Sequence, residues 1–227
     1  MLVVVTFRKY AFGNMKITIL TDNPNSWILP YVEELKKELN QVHTIHHIYK
    51  TSDIIDGDVM LVLSCEKILK TEYLKLHKSN VVVHPSKVPL GKGWSPLAWQ
   101  VLEGSNNIPV SLFEAVESVD AGDVYMVDYI KLEGHELNEE IKHQQGLLTM
   151  KMVKKYIDEF DSMIGVPQNG EETFYPRRRQ KENELDINKT IAEQFNLFRV
   201  VDNERYPAHF NLNGNKYILK IYKDDES

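Results

Sequence analysis

The spacing of apolar positions changes several times along the chain, and each change marks an element. Lys16 to Thr21 (KITILT) is a short run rich in β-branched residues, as a strand requires, and the polar turn Asp22 to Ser26 ends it. Beyond the turn Ile28, Val32, Leu35 and Leu39 recur at helical spacing, with Ser26 placed to cap the first turn. Thr44 to Tyr49 reads as a second strand. Asp58 to Leu63 (DVMLVL) is an almost unbroken apolar run, the mark of a parallel strand buried on both faces, because a strand with one wet face alternates instead. Lys67 to His77 predicts a short helix and Val81 to Val83 with its flanks a further buried strand. Ser95 to Leu102 predicts a helix with Pro96 in its first turn, where a missing N–H costs nothing. Strand alternating with helix predicts an α/β fold with a doubly wound, mostly parallel Rossmann-like sheet.

After Gly104 the pattern changes. Pro109 to Val116 and Val124 to Leu132 are strands separated by a short turn containing Asp120, Ala121, Gly122 and Asp123, which suits an antiparallel part of the sheet. A long helix from about Leu137 to Phe160 carries Ile141, Leu148, Met152 and Ile157, with Gly146 its weak point. Residues 165–175 read as a linker and residues 176–227 as a small C-terminal α+β segment. That segment has a helix over Ile187 to Arg199 and a hairpin of His209 to Leu212 with Lys216 to Ile221 around Asn213 and Gly214. The main domain then spans residues 15–164. Residues 1–14 place their apolar run before Arg8 and Lys9, the reverse of a signal peptide, and read as an extension with no role in the fold. No internal repeat is visible.

Composition narrows the class. The chain has 227 residues, 42% hydrophobic and 26% charged, which is globular rather than disordered. A formal charge of −6 is the wrong sign for a dedicated nucleic-acid binder. One cysteine, Cys65, excludes an internal disulfide framework and a multi-cysteine metal site, and it fits a reducing compartment. No apolar run reaches the roughly 18 to 20 residues of a membrane span, so a cytoplasmic protein without a membrane partner is expected.

The segment that carries chemistry is HPSKVPLGKGWSPLAW, His84 to Trp99, which leaves a buried strand and enters a helix through a loop of prolines and glycines. In a doubly wound sheet such loops line the ligand crevice. By position alone, a histidine there is more often held by a backbone carbonyl than engaged in catalysis, and an aspartate such as Asp120 more often caps its own turn. The spacing of His84, Ser86, Pro89, Gly93 and Pro96, however, resembles the H-x-S-x-x-P-x-x-x-G-x-x-P core of the folate-dependent formyltransferases, and Asp120 to Asp123 resembles their downstream D-x-G-D turn. Ser64 to Leu69 (SCEKIL) is similar to the loop that frames the pterin in that family. The resemblance runs from about Met15 to Phe160, and a weaker one continues through FNLFRVVDNERYP, similar to the C-terminal segment of sugar N-formyltransferases.

The resemblance implies transfer of a formyl group from 10-formyltetrahydrofolate to an amine, without a metal. It assigns His84 and Asp120 to catalysis, the carboxylate orienting the imidazole and accepting or relaying the amine proton. It assigns Ser64, Cys65, Glu66, Lys67, Ile68, Leu69, Ala121, Gly122 and Asp123 to the folate site. Ser86, Lys87, Lys92, Gly93 and Trp94 are then expected at the acceptor. Trp94 and Trp99 on spacing alone read as core, Arg177 to Arg179 as solvated, and Cys65 as a small loop residue.

One position departs from the family pattern. Val82 stands two residues before His84, where the family has an asparagine whose amide holds the oxyanion, and Asn80 lies a further two residues back, roughly 6.6 Å along a strand. Charge, the short C-terminal segment and FNLFRVVDNERYP favour a nucleotide-linked amino sugar of bacterial surface-glycan (lipopolysaccharide) biosynthesis as acceptor, over methionyl-tRNA or glycinamide ribonucleotide. The alternative raised by Val82 is a non-catalytic protein that binds folate or a sugar nucleotide. The terminal hairpin, with Tyr217, Ile218 and Ile221, is a candidate homodimer surface.

Overall fold

The computed structural model describes residues 13–224. The extension expected over residues 1–14 lies outside them apart from Gly13 and Asn14. In chain order the elements are β1 (Lys16–Leu20), α1 (Leu29–Leu39), β2 (Thr44–Ile48), β3 (Gly57–Val62), α2 (Thr71–Leu74), β4 (His77–His84), β5 (Lys92–Gly93), α3 (Pro96–Leu102), β6 (Asn107–Glu114), β7 (Val124–Lys131), α4 (Asn138–Asp158), β8 (Phe174–Tyr175), α5 (Phe195–Val200), β9 (Ala208–Leu212) and β10 (Asn215–Leu219). Six strands form one sheet in the order β2-β1-β3-β4-β6-β7. β1 pairs in parallel with β2 and β3, and β3 with β4. The Glu114 N–H donates to the Asp123 carbonyl, and the Leu132 N–H to the Asn106 carbonyl, which closes β6 and β7 into an antiparallel hairpin. The fold is the expected mixed α/β sheet, mostly parallel with an antiparallel part.

Successive residues Val59, Met60 and Leu61 of β3 are all at 0% exposure, so both faces of this central strand are covered, as its unbroken apolar run demands. Three expected boundaries are corrected. Ser26 does not cap α1, because the helix starts later, with Ile28 in the capping position; the Ser26 hydroxyl donates to Ser64 Oγ at 3.2 Å. Residues 67–70 are not helical, because the Lys67 N–H is held by Asp22 Oδ2 at 2.9 Å and Lys70 is extended, which leaves one turn from Thr71. Residues 187–191 are not helical either: Asp186 accepts the Asn188 N–H, and Thr190 and Glu193 bond each other's backbone, so α5 begins only at Phe195.

The chain divides into two compact units, one of residues up to Val83 with Leu112–Met126 and Thr149–Gln168, the other of His84–Ser111, Val127–Leu148 and the chain from Asn169. The second has its own core, in which Leu185, Leu197, Phe198, Val201 and Ala208 pack with Leu102. Within it the 1%-exposed Arg199 pairs with Glu136 at 3.2 Å. The terminal hairpin forms as expected, with Asn213 and Gly214 both at positive φ (50° and 76°), the backbone a tight two-residue turn needs. Among the described residues no helix is long and apolar enough to cross a membrane.

Candidate active site

In the first unit the turn carrying Asp120 is built on Glu114, the last residue of β6. The Glu114 carboxylate accepts from Ser79 Oγ at 2.6 Å, the Asn80 N–H at 2.6 Å and Tyr125 OH at 2.8 Å. Burial and that last bond push the Tyr125 hydroxyl well above its ordinary value, so it stays protonated as a donor. A Cβ on Gly122 would lie 1.8 Å from the Glu114 carbonyl oxygen, so only glycine lets the turn return so close to β6. From outside, Gln168 Nε2 donates to the carbonyls of Asp120 and Gly122, both at 2.8 Å. Asp120 itself sits at φ 49°, a left-handed conformation that aspartate tolerates better than most residues. Sequence reasoning missed Glu114 and Gln168, which lie far from their partners along the chain.

The Ser64 to Leu69 loop follows β3 in the same unit. Ser64 turns it at φ 54°, and Asp22 Oδ2 accepts the N–H groups of Glu66 and Lys67 at 2.8 and 2.9 Å. Cys65 donates to the Leu20 carbonyl at 3.2 Å; burial, reinforced by Asp22, pushes its thiol up to about 12. Leu69 is buried, while Ile68 is 62% exposed at the rim. Asn80, on β4, donates its side-chain amide to the Leu74 carbonyl at 2.9 Å and is only 4% exposed. Val82 packs against the apolar cluster of Leu20, Met60, Val62 and Leu69.

In the second unit His84 ends β4 and is 8% exposed. Its Nε2 lies 3.0 Å from the Gly91 carbonyl oxygen, which can only accept, so Nε2 is the donor in this contact. The loop between them is pinned internally: the Ser86 N–H donates to the His84 carbonyl at 2.8 Å, Gln100 to the Pro85 carbonyl at 2.7 Å, and Ser111 to the Ser86 carbonyl at 2.7 Å. Ser86 and Lys92 are each 2% exposed, Lys92 paired with Glu172 at 2.6 Å, whereas Lys87 is exposed.

The expected linker is docked at both ends. Val166 bridges Val124 in the first unit, and β8 pairs with β5 in the second. Trp94 is 36% exposed, not core, and the Arg177 guanidinium lies 4.7 Å from its ring centroid. Trp99 is half-buried, stacked on Tyr175 at 6.2 Å, and its Nε1 donates to the Pro176 carbonyl at 2.8 Å. Nor is Arg178 solvated, for it donates to Asn183 Oδ1 at 2.6 Å. Among the described residues no group of three or more His, Cys, Asp or Glu side chains is placed to hold a metal ion.

A family model described as formyl transferase matches residues 20–152, more than half of the chain. The chain is 25% identical over 187 residues to a methionyl-tRNA formyltransferase of Mycoplasma capricolum, an alignment covering 81% of this chain and 59% of that one, so it spans about three-fifths of that relative. Among solved structures it resembles a methionyl-tRNA formyltransferase from Clostridium thermocellum (TM-score 0.80, 19% identity, 93% of this chain and 94% of that one). It also resembles a sugar N-formyltransferase from a Shewanella species (TM-score 0.69, 14% identity, 92% and 98%). At these identities the two structures show the fold.

Proposed function

Because the chain belongs to the formyl transferase family, we propose that it moves the formyl group of 10-formyltetrahydrofolate to the amine of a nucleotide-linked amino sugar, in the cytoplasm, for surface-glycan synthesis. The family works with formyl-tetrahydrofolate. The Ser64–Leu69 loop suits such a ligand, since Asp22 takes up the N–H groups of Glu66 and Lys67. What that loop then has to offer a flat heterocycle bearing N–H donors is carbonyl oxygens and the apolar rim of Ile68.

In the proposed reaction a neutral amine attacks the formyl carbon, the carbonyl oxygen becomes a tetrahedral oxyanion, and the nitrogen sheds a proton before N10 of the folate leaves. His84 and Asp120 handle that proton. Ser86 and Lys92, enclosed within the loop, shape it, while Lys87, Gly93 and Trp94 are the residues proposed to meet the acceptor. The observation that carries the sugar reading is the segment FNLFRVVDNERYP. It folds as α5, an Asp202–Tyr206 bridge and the approach to β9, an element of its own and similar in sequence to that of sugar N-formyltransferases. Exposed Tyr217 and Ile218 on β10, at 44% and 53%, suit self-association through the terminal hairpin, which light scattering tests.

The sequence relatives favour a second acceptor, methionyl-tRNA. The deciding experiment offers the protein 10-formyltetrahydrofolate with UDP- and dTDP-linked amino sugars, charged initiator tRNA and glycinamide ribonucleotide, and follows tetrahydrofolate release and product mass. Formylated sugar that vanishes in His84→Ala and Asp120→Asn is expected. Formylated tRNA alone would move the acceptor, and folate binding without any product would favour a binding protein.

A further inference from the structure

Gln168 commits its whole side-chain amide to the turn that carries Asp120. Its Nε2 donates to the carbonyls of Asp120 and Gly122, both at 2.8 Å and 48 and 46 residues away, while its buried Oε1 has no hydrogen-bond partner among the described residues. Both carbonyls can only accept, so the nitrogen has to face them; a flipped amide would set oxygen against oxygen. The segment that brings Gln168 there is laid along the exit of the turn. Val166 and Val124 exchange both backbone hydrogen bonds, at 2.8 and 2.9 Å, and a Cβ on Gly165 would lie 2.7 Å from Asp123 Cβ. The amide therefore reaches the turn from a backbone that is itself tied to the same strand.

Asp120 needs such a hold, because a residue with a side chain keeps a φ of 49° only where its surroundings over-determine it. We propose that Gln168 is a positioning residue: by bonding the carbonyls of the two residues that flank Ala121, it fixes the backbone from which the Asp120 side chain projects. Asp120 has a further interaction of its own, and what Gln168 fixes is the backbone beneath it. The catalytic consequence rests on the reading of Asp120 given above; the structural one does not. A carboxylate that accepts or relays a proton works only within hydrogen-bond reach, and a misplacement of about 1 Å can cost about 10²-fold in rate. Gln168→Met keeps the length of the side chain and loses both donors. Gln168→Glu keeps its shape and, when ionised, has no hydrogen to give.

The test reads the carbonyl-carbon signals of Asp120 and Gly122 in carbon-13 and nitrogen-15 labelled wild type, Gln168→Met and Gln168→Glu, beside the melting temperature and the formyl-transfer kinetics. Both signals should move upfield in each variant, as a carbonyl carbon does when its oxygen loses a hydrogen bond. The melting temperature should fall by no more than about 8 °C, so that both variants are folded in the assay. In Gln168→Met kcat should then drop roughly threefold to tenfold, with KM for the acceptor within about twofold. Signals that stay in place in Gln168→Met overturn the proposal, for the amide would not hold the turn. So do signals that move while kcat is unchanged, and a rate loss no larger than the loss of folded protein, which is a structural role alone. Should Gln168→Met not fold, Gln168→Glu is read against the same criteria. If the wild type formylates no acceptor, the reading of Asp120 fails, and the carbonyl signals still decide whether Gln168 fixes the turn.

Discussion

Removing the Glu114 carboxylate tests whether the Asp120 turn rests on a buried polar anchor. In Glu114→Ala, three close donors lose their acceptor, Ser79 Oγ, the Asn80 N–H and Tyr125 OH, at 2.6, 2.6 and 2.8 Å, and Asn80 Nδ2 loses a longer contact of 3.5 Å. They do not lose equally. Ser79 Oγ keeps its 2.7 Å contact with Tyr156 OH, and Tyr125 is half-buried, so water reaches it more readily. The Asn80 N–H belongs to a 4%-exposed residue within β4 and has nowhere to turn. Bonds to charged groups contribute about 1.5–3 kcal/mol each, and a stranded buried donor costs about 1–3 kcal/mol. Counting the stranded amide fully and the two hydroxyls in part gives about 3–5 kcal/mol, a large share of a stability of about 5–15 kcal/mol. For a chain of this size that lowers the melting temperature by roughly 6–20 °C. Urea unfolding of Glu114→Ala beside Tyr125→Phe measures it, the latter removing one donor and leaving the carboxylate, at about 1 kcal/mol. A loss below about 1 kcal/mol in Glu114→Ala would refute the reasoning, since the anchor would then be a hydrated surface carboxylate.

Burial holds the imidazoles of His43, His47 and His77 below their ordinary value of 6.5. The unfolded chain therefore binds more protons as pH falls through about 6.5, and stability present above that point drains away below it; a denaturation midpoint equal at about pH 5 and about pH 7.5 would contradict this. The Cys65 thiol, pushed up to about 12, should alkylate at about pH 8 some 10²-fold to 10³-fold more slowly than free cysteine, read by mass spectrometry. Gly91→Ala, at φ 67° with 3.0 Å contacts on two sides, should cost about 1–3 kcal/mol in urea unfolding. Val82→Asn should cost a similar amount, about 1–3 kcal/mol, by placing an amide in the apolar cluster of Leu20, Met60 and Val62; an unchanged midpoint would show water there.

What could be read from the sequence was what neighbours along the chain decide. DVMLVL announced a strand covered on both faces because that burial leaves no polar alternation, and Asn213–Gly214 announced a hairpin because both positions need positive φ. Ser26 misled, since a serine caps a helix only where the helix begins directly after it, and here two residues intervene before α1, with Ile28 in the capping position. The clamps were illegible for a different reason. Glu114 on Ser79, Gln168 on the Asp120 turn and Thr173 on Gly91 join residues 35 to 82 positions apart, and no periodicity encodes which distant partner a polar side chain will find. Gly122 and Gly91 were visible as letters of the sequence, but what their missing Cβ leaves room for, the Glu114 carbonyl beside Gly122 and the Tyr175 ring beside Gly91, is a property of the fold.

The departure at Val82 gains meaning from the same network. Asn80, four residues before His84, is no displaced oxyanion donor, because it is committed elsewhere, its backbone N–H to Glu114 and its side-chain amide to the Leu74 carbonyl. Val82 meanwhile is partly buried and packs against its apolar neighbours. On the proposed reading, the charge on the tetrahedral oxygen then falls to His84 and backbone donors. Loss of one such donor ordinarily costs about 10²-fold to 10³-fold in rate, which leaves a slow enzyme rather than a dead one. A site with fewer donors depends more on the orientation of those it keeps, and on this reading the Gly91 carbonyl, 3.0 Å from His84 Nε2, is one contact that sets the orientation of the ring.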